Sequence, residues 1–365
     1  MTRRPTAVAS TLRTPAELVA RELVPSAVLP ALEQVASRYA VAITPAVAAL
    51  IDRSDPQDPI ARQYVPSPEE LKVAPVERAD PIGDNTYTPV RGIVHRYPDR
   101  VLFKLVHVCA VYCRFCFRRE MVGPGKDNAL SESAYRAAID YIRAHSEIWE
   151  VILTGGDPLM LSPRRMAEIM ADLAAIDHVK IIRLHTRVPV AEPARITAEM
   201  VGALKVAGAA IWMALHANHV RELTENARAA VARLIDAGIP MVSQSVLLKG
   251  VNDNPVALEA LMRSFVECRI KPYYLHHGDL APGTAHLRTT IAHGQALMRA
   301  LRGRVSGLCQ PEYVLDIPGG AGKSPVGPGY LSPQDSVAGR GEVGEETRYR
   351  VIDYCGEVHI YPPQP

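Results

Sequence analysis

Hydrophobic and polar positions alternate along the centre of the chain in a regular rhythm. Apolar runs that suit buried strands occupy residues 101–108, 149–153, 179–184, 210–215, 240–246 and 270–275. Amphipathic stretches that suit helices follow at 133–145, 163–175, 196–207, 226–237, 255–266 and 292–302. After the first strand the units recur about every 30 residues, the length of a β-α repeat. Near-continuous apolar strands are typical of a parallel sheet covered on both faces. The pattern therefore predicts an α/β fold, a partial (β/α)6 barrel.

The flanking regions leave this rhythm and divide the chain into three predicted parts. Residues 1–90 form a helical cap followed by a Pro- and Asp-rich extended connector, and we expect neither to carry catalytic groups. Residues 91–305 form the barrel. Residues 306–365 contain a strand at 312–317, a Gly-rich loop at 318–325, and a hairpin that pairs 348–353 with 357–361.

Polar side chains follow the predicted strands where each strand ends. The trio Cys109, Cys113 and Cys116 follows the first strand, Gly155-Gly156-Asp157 the second, His185 the third, His216 the fourth, Gln244 lies late in the fifth, and His276 and Asp279 follow the sixth. In β/α barrels, chemistry gathers at the carboxyl ends of the strands. One active-site mouth explains this arrangement.

Composition narrows the class of protein. A formal charge of +2 gives no electrostatic footprint for nucleic acid, and no apolar run has the length of a membrane span. Arg3, Arg4 and Arg13 resemble a transit peptide loosely, but the apolar core of a secretory signal is missing. Three of the six cysteines are clustered and three are single, which indicates metal chemistry in a reduced compartment. We therefore expect a cytoplasmic protein.

The spacing C-x3-C-x2-C offers three thiolates and no obvious fourth. Ordinary Cys-ligated clusters and structural zinc sites take four protein ligands, so a trio suits an iron–sulfur cube with one open iron. The amino and carboxylate groups of S-adenosylmethionine can chelate such an iron. The alternative is a zinc loop completed by a distant Cys or His. Gly155 and Gly156 would allow close backbone approach to a bound amino acid moiety, although a plain strand-to-helix turn gives the same residues.

Lys323 lies in the run Pro-Gly-Gly-Ala-Gly-Lys-Ser-Pro, a donor-rich loop in which an amine can reach an aldehyde. A phosphate-binding P-loop is excluded, because Ile317 replaces its first glycine and Pro325 falls where its helix would run. An exposed lysine without a role remains the alternative. Arg96, Tyr97 and Arg100, just before the first strand, are candidate phosphate donors or simply solvated side chains.

Together these features resemble the radical S-adenosylmethionine superfamily. More narrowly, residues 95–100, 113–119 and 316–323 resemble the motifs of the lysine 2,3-aminomutase family. The resemblance implies a [4Fe-4S] cluster on the cysteine trio, S-adenosylmethionine, and pyridoxal 5'-phosphate on Lys323. It further implies that Arg118 binds the substrate carboxylate, that Asp279 and Asp316 bind the distal ammonium of lysine, and that His216 and Gln244 contact the cofactors. The expected reaction moves the α-amino group of L-lysine to the β-carbon. The expected partners are a flavodoxin- or ferredoxin-type reductant and further copies of the chain.

The sequence departs from the longer members of this family. Asn254 follows the Gly-Val-Asn-Asp run where those members carry a cysteine, and Cys355 is the one cysteine after Cys309. Their intersubunit zinc site is therefore not available here, which leaves the tetramer it supports in doubt. Three alternatives stay open: a relative that supplies β-lysine for modification of elongation factor P, an aminomutase for another amino acid, and a non-catalytic iron–sulfur or zinc protein of the same fold.

Overall fold

A computed structural model describes residues 10–123, 128–206, 208–333 and 348–362. Arg3 and Arg4 of the transit-like segment lie outside these ranges. The strands are β1 (Ile93–Tyr97), β2 (Arg100–Val106), β3 (Glu150–Gly155), β4 (Ile181–Thr186), β5 (Ala210–His216), β6 (Met241–Val246), β7 (Ile270–His276), β8 (Glu312–Ile317), β9 (Gly322–Pro325), β10 (Leu331–Pro333), β11 (Tyr349–Ile352) and β12 (Val358–Tyr361). The helices are α1 (Pro15–Ala20), α2 (Leu29–Arg38), α3 (Pro45–Ala48), α4 (Ala61–Tyr64), α5 (Glu132–Ala144), α6 (Pro163–Ala174), α7 (Val188–Ala191), α8 (Ala198–Ala203), α9 (Glu225–Asp236), α10 (Pro255–Glu267) and α11 (Ile291–Leu301).

The main sheet contains β1 to β9 in chain order. Strands β2 to β8 are parallel, whereas β1 and β9 pair antiparallel with their neighbours at the two edges. The six predicted strands are confirmed as β2 to β7, and the predicted strand of the tail joins them as a seventh parallel strand. The hydroxyl of Tyr97 on β1 accepts a hydrogen bond of 2.7 Å from the backbone N–H of Lys323 on β9. This contact joins the two edges of the partial barrel.

The outer helices form where the sequence predicts them, and polar caps set their starts. Ser131 caps α5, Ser162 caps α6, Thr224 caps α9 and Asn254 caps α10, each accepting a backbone N–H of the first turn. In α5, the buried positions Tyr135, Ala138, Ile139 and Ile142 form the stripe that packs on the sheet. The predicted helix at 196–207 is shorter in the structure, ending at Ala203.

Two regions outside the barrel refine the sequence predictions. The cap contains α1 to α3, and the connector carries α4 and short 3-10 turns. The predicted loop at 318–325 is wrong in its second half, because 322–325 form β9. The predicted hairpin is confirmed as β11 and β12, which form a separate sheet with β10. None of the described helices is long and apolar enough to cross a membrane. The division into three parts stays a prediction.

Candidate functional site

A cavity of about 490 Å³ runs through the centre of the barrel and is lined by residues from every strand of the main sheet. Successive strand residues point to opposite faces. In β4, Ile182 and Leu184 therefore belong to the hydrophobic core, whereas Arg183 and His185 line the cavity. All the residues that sequence analysis put forward as site residues line this one cavity: Arg96, Tyr97, Arg100, Cys109, Cys113, Cys116, Arg118, Gly155, Gly156, Asp157, His216, Gln244, Asp279, Asp316 and Lys323.

The cysteine trio lies in the loop after β2. Burial raises the pKa of all three thiols, that of Cys113 to about 11, so a bound cation is needed to hold them as thiolates. A tetrahedral zinc with Zn–S bonds of about 2.3 Å needs sulfurs about 4 Å apart. Among the described residues, Asp353, Glu357 and His359 bring three ligand atoms within 4.8 Å of one another, but the three thiols do not. No fourth cysteine lines the cavity among these residues. The spacing of the thiols therefore does not match a tetrahedral mononuclear zinc, and three cysteines without a fourth are the ligand set that an open-cornered iron–sulfur cube needs.

The cysteine loop is held by a carboxylate that sequence analysis missed. Glu70, in the connector, is fully buried and accepts hydrogen bonds from Arg114 Nε (3.0 and 3.1 Å) and Nη2 (2.5 Å), and from Arg119. Burial alone would raise the pKa of Glu70, but the two guanidiniums lower it, so Glu70 is ionised at neutral pH. We call Glu70, Arg114 and Arg119 the Glu70 clamp. It fixes the backbone on both sides of Cys116.

The Gly155-Gly156-Asp157 turn packs against the cysteine loop. A Cβ on Gly155 would lie 2.3 Å from the Val106 carbonyl oxygen, and one on Gly156 would lie 2.2 Å from that of Val108. The carboxylate of Asp157 accepts hydrogen bonds from the Thr186 hydroxyl (2.8 Å) and from backbone N–H groups. Both glycines are thus required by backbone packing, and the Asp157 side chain is engaged within the protein. Contact of this turn with a cofactor stays a prediction.

Two predicted site residues converge on a second missed carboxylate, Asp84 of the connector. Arg118 donates to Asp84 Oδ2 through Nε (3.0 Å) and Nη2 (2.9 Å), while Arg96 Nη2 lies 3.1 Å from Oδ1. Burial would raise the pKa of Asp84, but Arg118 and the neighbouring cations lower it. Arg118 is therefore oriented through two of its donors, and its Nη1, 3.5 Å from the Thr154 hydroxyl, remains for a ligand.

Lys323 lies on β9, not in the Gly-rich loop that the sequence predicted. Asp316 on β8 stands directly opposite it in the antiparallel register. Cross-strand neighbours share a face of the sheet, and Lys323 Nζ lies 2.7 and 3.0 Å from the two oxygens of Asp316. The lysine amine is thus positioned by the hairpin, at the wall of the cavity.

Asp279 and Asp316 form an unequal acid pair. Burial would raise the pKa of Asp316, but the hydrogen bond from His276 Nδ1 (3.1 Å) and the Lys323 ammonium lower it well below its usual range. Burial and the charge of Asp316 instead raise the pKa of Asp279 to about 7. Oδ1 of Asp279 has no hydrogen-bond partner among the described residues. The pair therefore presents one ionised and one half-protonated carboxyl to the cavity at neutral pH.

Further cavity residues offer neutral imidazoles. The rings of His185 and His216 pack edge to face at 5.3 Å, and burial lowers the pKa of both, that of His216 to about 3. The Nε2 atom of each lacks a partner within the described part of the chain. Gln244 lines the same wall from β6. These groups suit contacts to a cofactor, but which cofactor each one meets stays a prediction.

The three candidate phosphate donors are not equivalent. Arg96 already donates to Asp84 and to the Ile82 carbonyl (2.7 Å). The Tyr97 hydroxyl meets Lys323 as described. Arg100 lies 3.9 Å over the Tyr97 ring and pairs with the half-exposed Asp99. Arg100 is therefore the member of this set with the weakest ties to the protein interior.

The chain is similar to known proteins over most of its length. Residues 103–260 match the family model described as Radical SAM superfamily. The L-lysine 2,3-aminomutase of Clostridium subterminale is 42% identical over 311 residues, covering 85% of this chain and 74% of that protein. A putative L-lysine 2,3-aminomutase of Aquifex aeolicus is 42% identical, covering 80% of this chain and 79% of its own. A glutamate 2,3-aminomutase of Clostridioides difficile is 37% identical, covering 82% and 70%. The chain therefore belongs to the lysine 2,3-aminomutase family of radical S-adenosylmethionine enzymes, a membership that implies a [4Fe-4S] cluster, S-adenosylmethionine and pyridoxal phosphate.

Proposed function

We propose that this protein moves the α-amino group of L-lysine to its β-carbon and so produces β-lysine. The observation that carries the choice of substrate is the acid pair, because Asp316 already binds an ammonium group, that of Lys323, at 2.7 Å. The 37% identity to a glutamate 2,3-aminomutase shows that family membership alone does not fix the substrate.

The residues fit the implied cofactors. Cys109, Cys113 and Cys116 would hold the cluster, whose open iron would anchor S-adenosylmethionine, and Lys323 would hold pyridoxal phosphate. When bound, these groups supply a carbon-centred radical and an aldehyde that forms an imine with an amino acid. The neutral His185 and His216 would position them through their unpartnered nitrogens.

At one end of the substrate, Arg118 would bind the carboxylate. Asp84 occupies its Nε and Nη2 and thereby fixes the plane of the guanidinium. A guanidinium held in this way loses little side-chain entropy when it binds a carboxylate. Asp84 is thus a positioning residue for Arg118.

At the other end, Asp279 and Asp316 would bind the side-chain ammonium. Asp316 is paired with Lys323, whereas Asp279 is buried without an ion pair to any described residue. A buried carboxylate in that position is unfavourable, and the raised pKa of Asp279 reflects this. A substrate ammonium supplies the missing positive charge, whereas a second carboxylate would be repelled. The pair therefore favours lysine over glutamate.

We further propose a reductant, a compartment and an oligomeric state for the enzyme. A flavodoxin- or ferredoxin-type protein would deliver the electron that the cluster needs, in the cytoplasm. We expect the enzyme to be a homo-oligomer held by contacts other than a tail zinc site.

The decisive experiment is product analysis. Enzyme reconstituted without oxygen and given S-adenosylmethionine, pyridoxal phosphate and dithionite is incubated separately with lysine, ornithine and glutamate. We expect β-lysine from lysine and little turnover of the other two. The Cys113→Ser variant, treated identically, is the blank. Turnover of glutamate or ornithine while lysine is left unchanged would refute the role given to the acid pair.

A further inference from the structure

His276 lies next to the acid pair, because its Nδ1 contacts Asp316. We propose that His276 is a specificity-determining residue that accepts a hydrogen bond from the substrate's side-chain ammonium through Nε2. This inference rests on the proposed function, because it concerns how the lysine substrate is recognised. His276 ends β7, lines the cavity and is 5% exposed.

The tautomer of His276 follows from its neighbour. Nδ1 lies 3.1 Å from Oδ2 of Asp316. An ionised carboxylate can only accept a hydrogen bond, so Nδ1 carries the proton. Burial lowers the pKa of His276, which keeps the ring neutral. Nε2 is therefore a lone-pair acceptor.

No donor from the described part of the chain reaches this acceptor. Nε2 of His276 is buried and makes no hydrogen bond to any described residue. A buried acceptor left without a donor is destabilising. The groups that act on its titration are Asp316 and Lys323, and its ring meets that of Tyr274 edge-on at 5.7 Å. A donor brought by a ligand would satisfy the atom.

Counting donors and acceptors identifies that ligand. An alkylammonium carries three N–H donors and no acceptor. Around the acid pair, the cavity offers an oxygen of Asp316, the unpartnered Oδ1 of Asp279 and the unpartnered Nε2 of His276. Three acceptors match three donors. A hydroxyl or a methyl group at the same place would leave at least one of them unpaired.

Two substitutions separate the two nitrogens of His276. In His276→Asn, the amide nitrogen takes the place of Nδ1 and keeps the bond to Asp316, but the acceptor at Nε2 is lost. In His276→Gln, the longer amide places an oxygen near Nε2 and gives up the donor to Asp316. The ligands are lysine and norleucine, which is lysine without its terminal ammonium. Binding is read from the absorbance of enzyme loaded with pyridoxal phosphate alone, so that no turnover is needed.

Loss of one hydrogen bond to a charged group predicts that His276→Asn weakens lysine binding about 10-fold or more. Norleucine binding should stay within about 2-fold, and His276→Gln should keep lysine binding within about 3-fold of wild type. Equal weakening of both ligands in His276→Asn, or unchanged lysine binding, would overturn the proposal. Should His276→Asn not fold, His276→Gln decides: a 10-fold loss of lysine selectivity over norleucine overturns it. Failure of the proposed function is seen separately, as absence of β-lysine from the wild-type enzyme.

Discussion

The Glu70 clamp allows a quantitative test of how the cysteine loop is held. In Glu70→Gln the side chain keeps its shape but loses its charge, so Arg114 and Arg119 remain buried without a counter-ion. Arg114 is 2% exposed and Arg119 4% exposed, so water cannot replace the lost partner. Breaking a buried ion pair from one side destabilises proteins by about 3–5 kcal/mol.

The expected change in melting temperature follows from the size of the chain. The entropy of unfolding is about 2.1 cal/mol/K per residue near the midpoint, or about 0.8 kcal/mol/K for 365 residues. A loss of 3–5 kcal/mol therefore lowers Tm by roughly 4–6 °C. Because the clamp lies on both sides of Cys116, we also expect less iron per chain after anaerobic reconstitution. Calorimetry of the cluster-free protein and iron analysis measure the two effects independently.

The neighbouring residue provides a matched control. Glu69 carries the same side chain and is exposed, and among the residues that the structure describes its carboxylate pairs with Lys72 on the surface. Exposed pairs contribute about 0–1 kcal/mol, so Glu69→Gln should shift Tm by about 1 °C or less and keep the full iron content. If Glu70→Gln has the same Tm as Glu69→Gln and binds as much iron as the wild type, the Glu70 clamp does not hold the cysteine loop.

Three further predictions follow from the cavity. Borohydride reduction of enzyme loaded with pyridoxal phosphate should label Lys323, and Lys323→Ala should lose the label while Lys249→Ala keeps it; a label elsewhere contradicts the assignment. The KM for lysine should rise as the pH falls through about 7, because Asp279 becomes protonated there and loses the charge that binds the ammonium. Asp279→Asn should remove this pH dependence. A variant that keeps the pH profile of the wild type would contradict the role given to Asp279. Cys113→Ser should abolish the absorbance of the cluster, whereas Cys309→Ser, buried outside the cavity, should leave it intact; equal loss in both would indicate general instability.

The sequence predicts the barrel well because the information is local. Buried strands and amphipathic helices have different periods, and each of β2 to β7 appears as its own apolar run. The same periodicity brings the predicted site residues to one cavity, since strand ends in a parallel sheet share an edge. The strand that carries Lys323 was harder to predict, because a Gly-rich run does not show where a loop ends and a short strand begins.

The missed residues depend on contacts between distant parts of the chain. Glu70 meets Arg114 across 44 positions, and Asp84 meets Arg118 across 34. Both carboxylates lie in a stretch whose Pro and Asp content is typical of solvated connectors. No local pattern marks an acidic residue that will be buried by a guanidinium from another segment. The sequence places His276 at a strand end. Its tautomer and its unpartnered Nε2 can be assigned only from the structure, which shows Asp316 beside Nδ1.

The two buried carboxylates of the connector also bear on how this protein can be dissected and how it can change. A fragment that starts at residue 91 would keep Arg96, Arg114, Arg118 and Arg119 but lose Glu70 and Asp84, the carboxylates that orient them. We therefore expect that such a fragment is not an autonomous catalytic module. Because each carboxylate is paired with arginines, we expect these acids and arginines to change together among homologues. A homologue that replaces Glu70 should also replace the residues at positions 114 and 119.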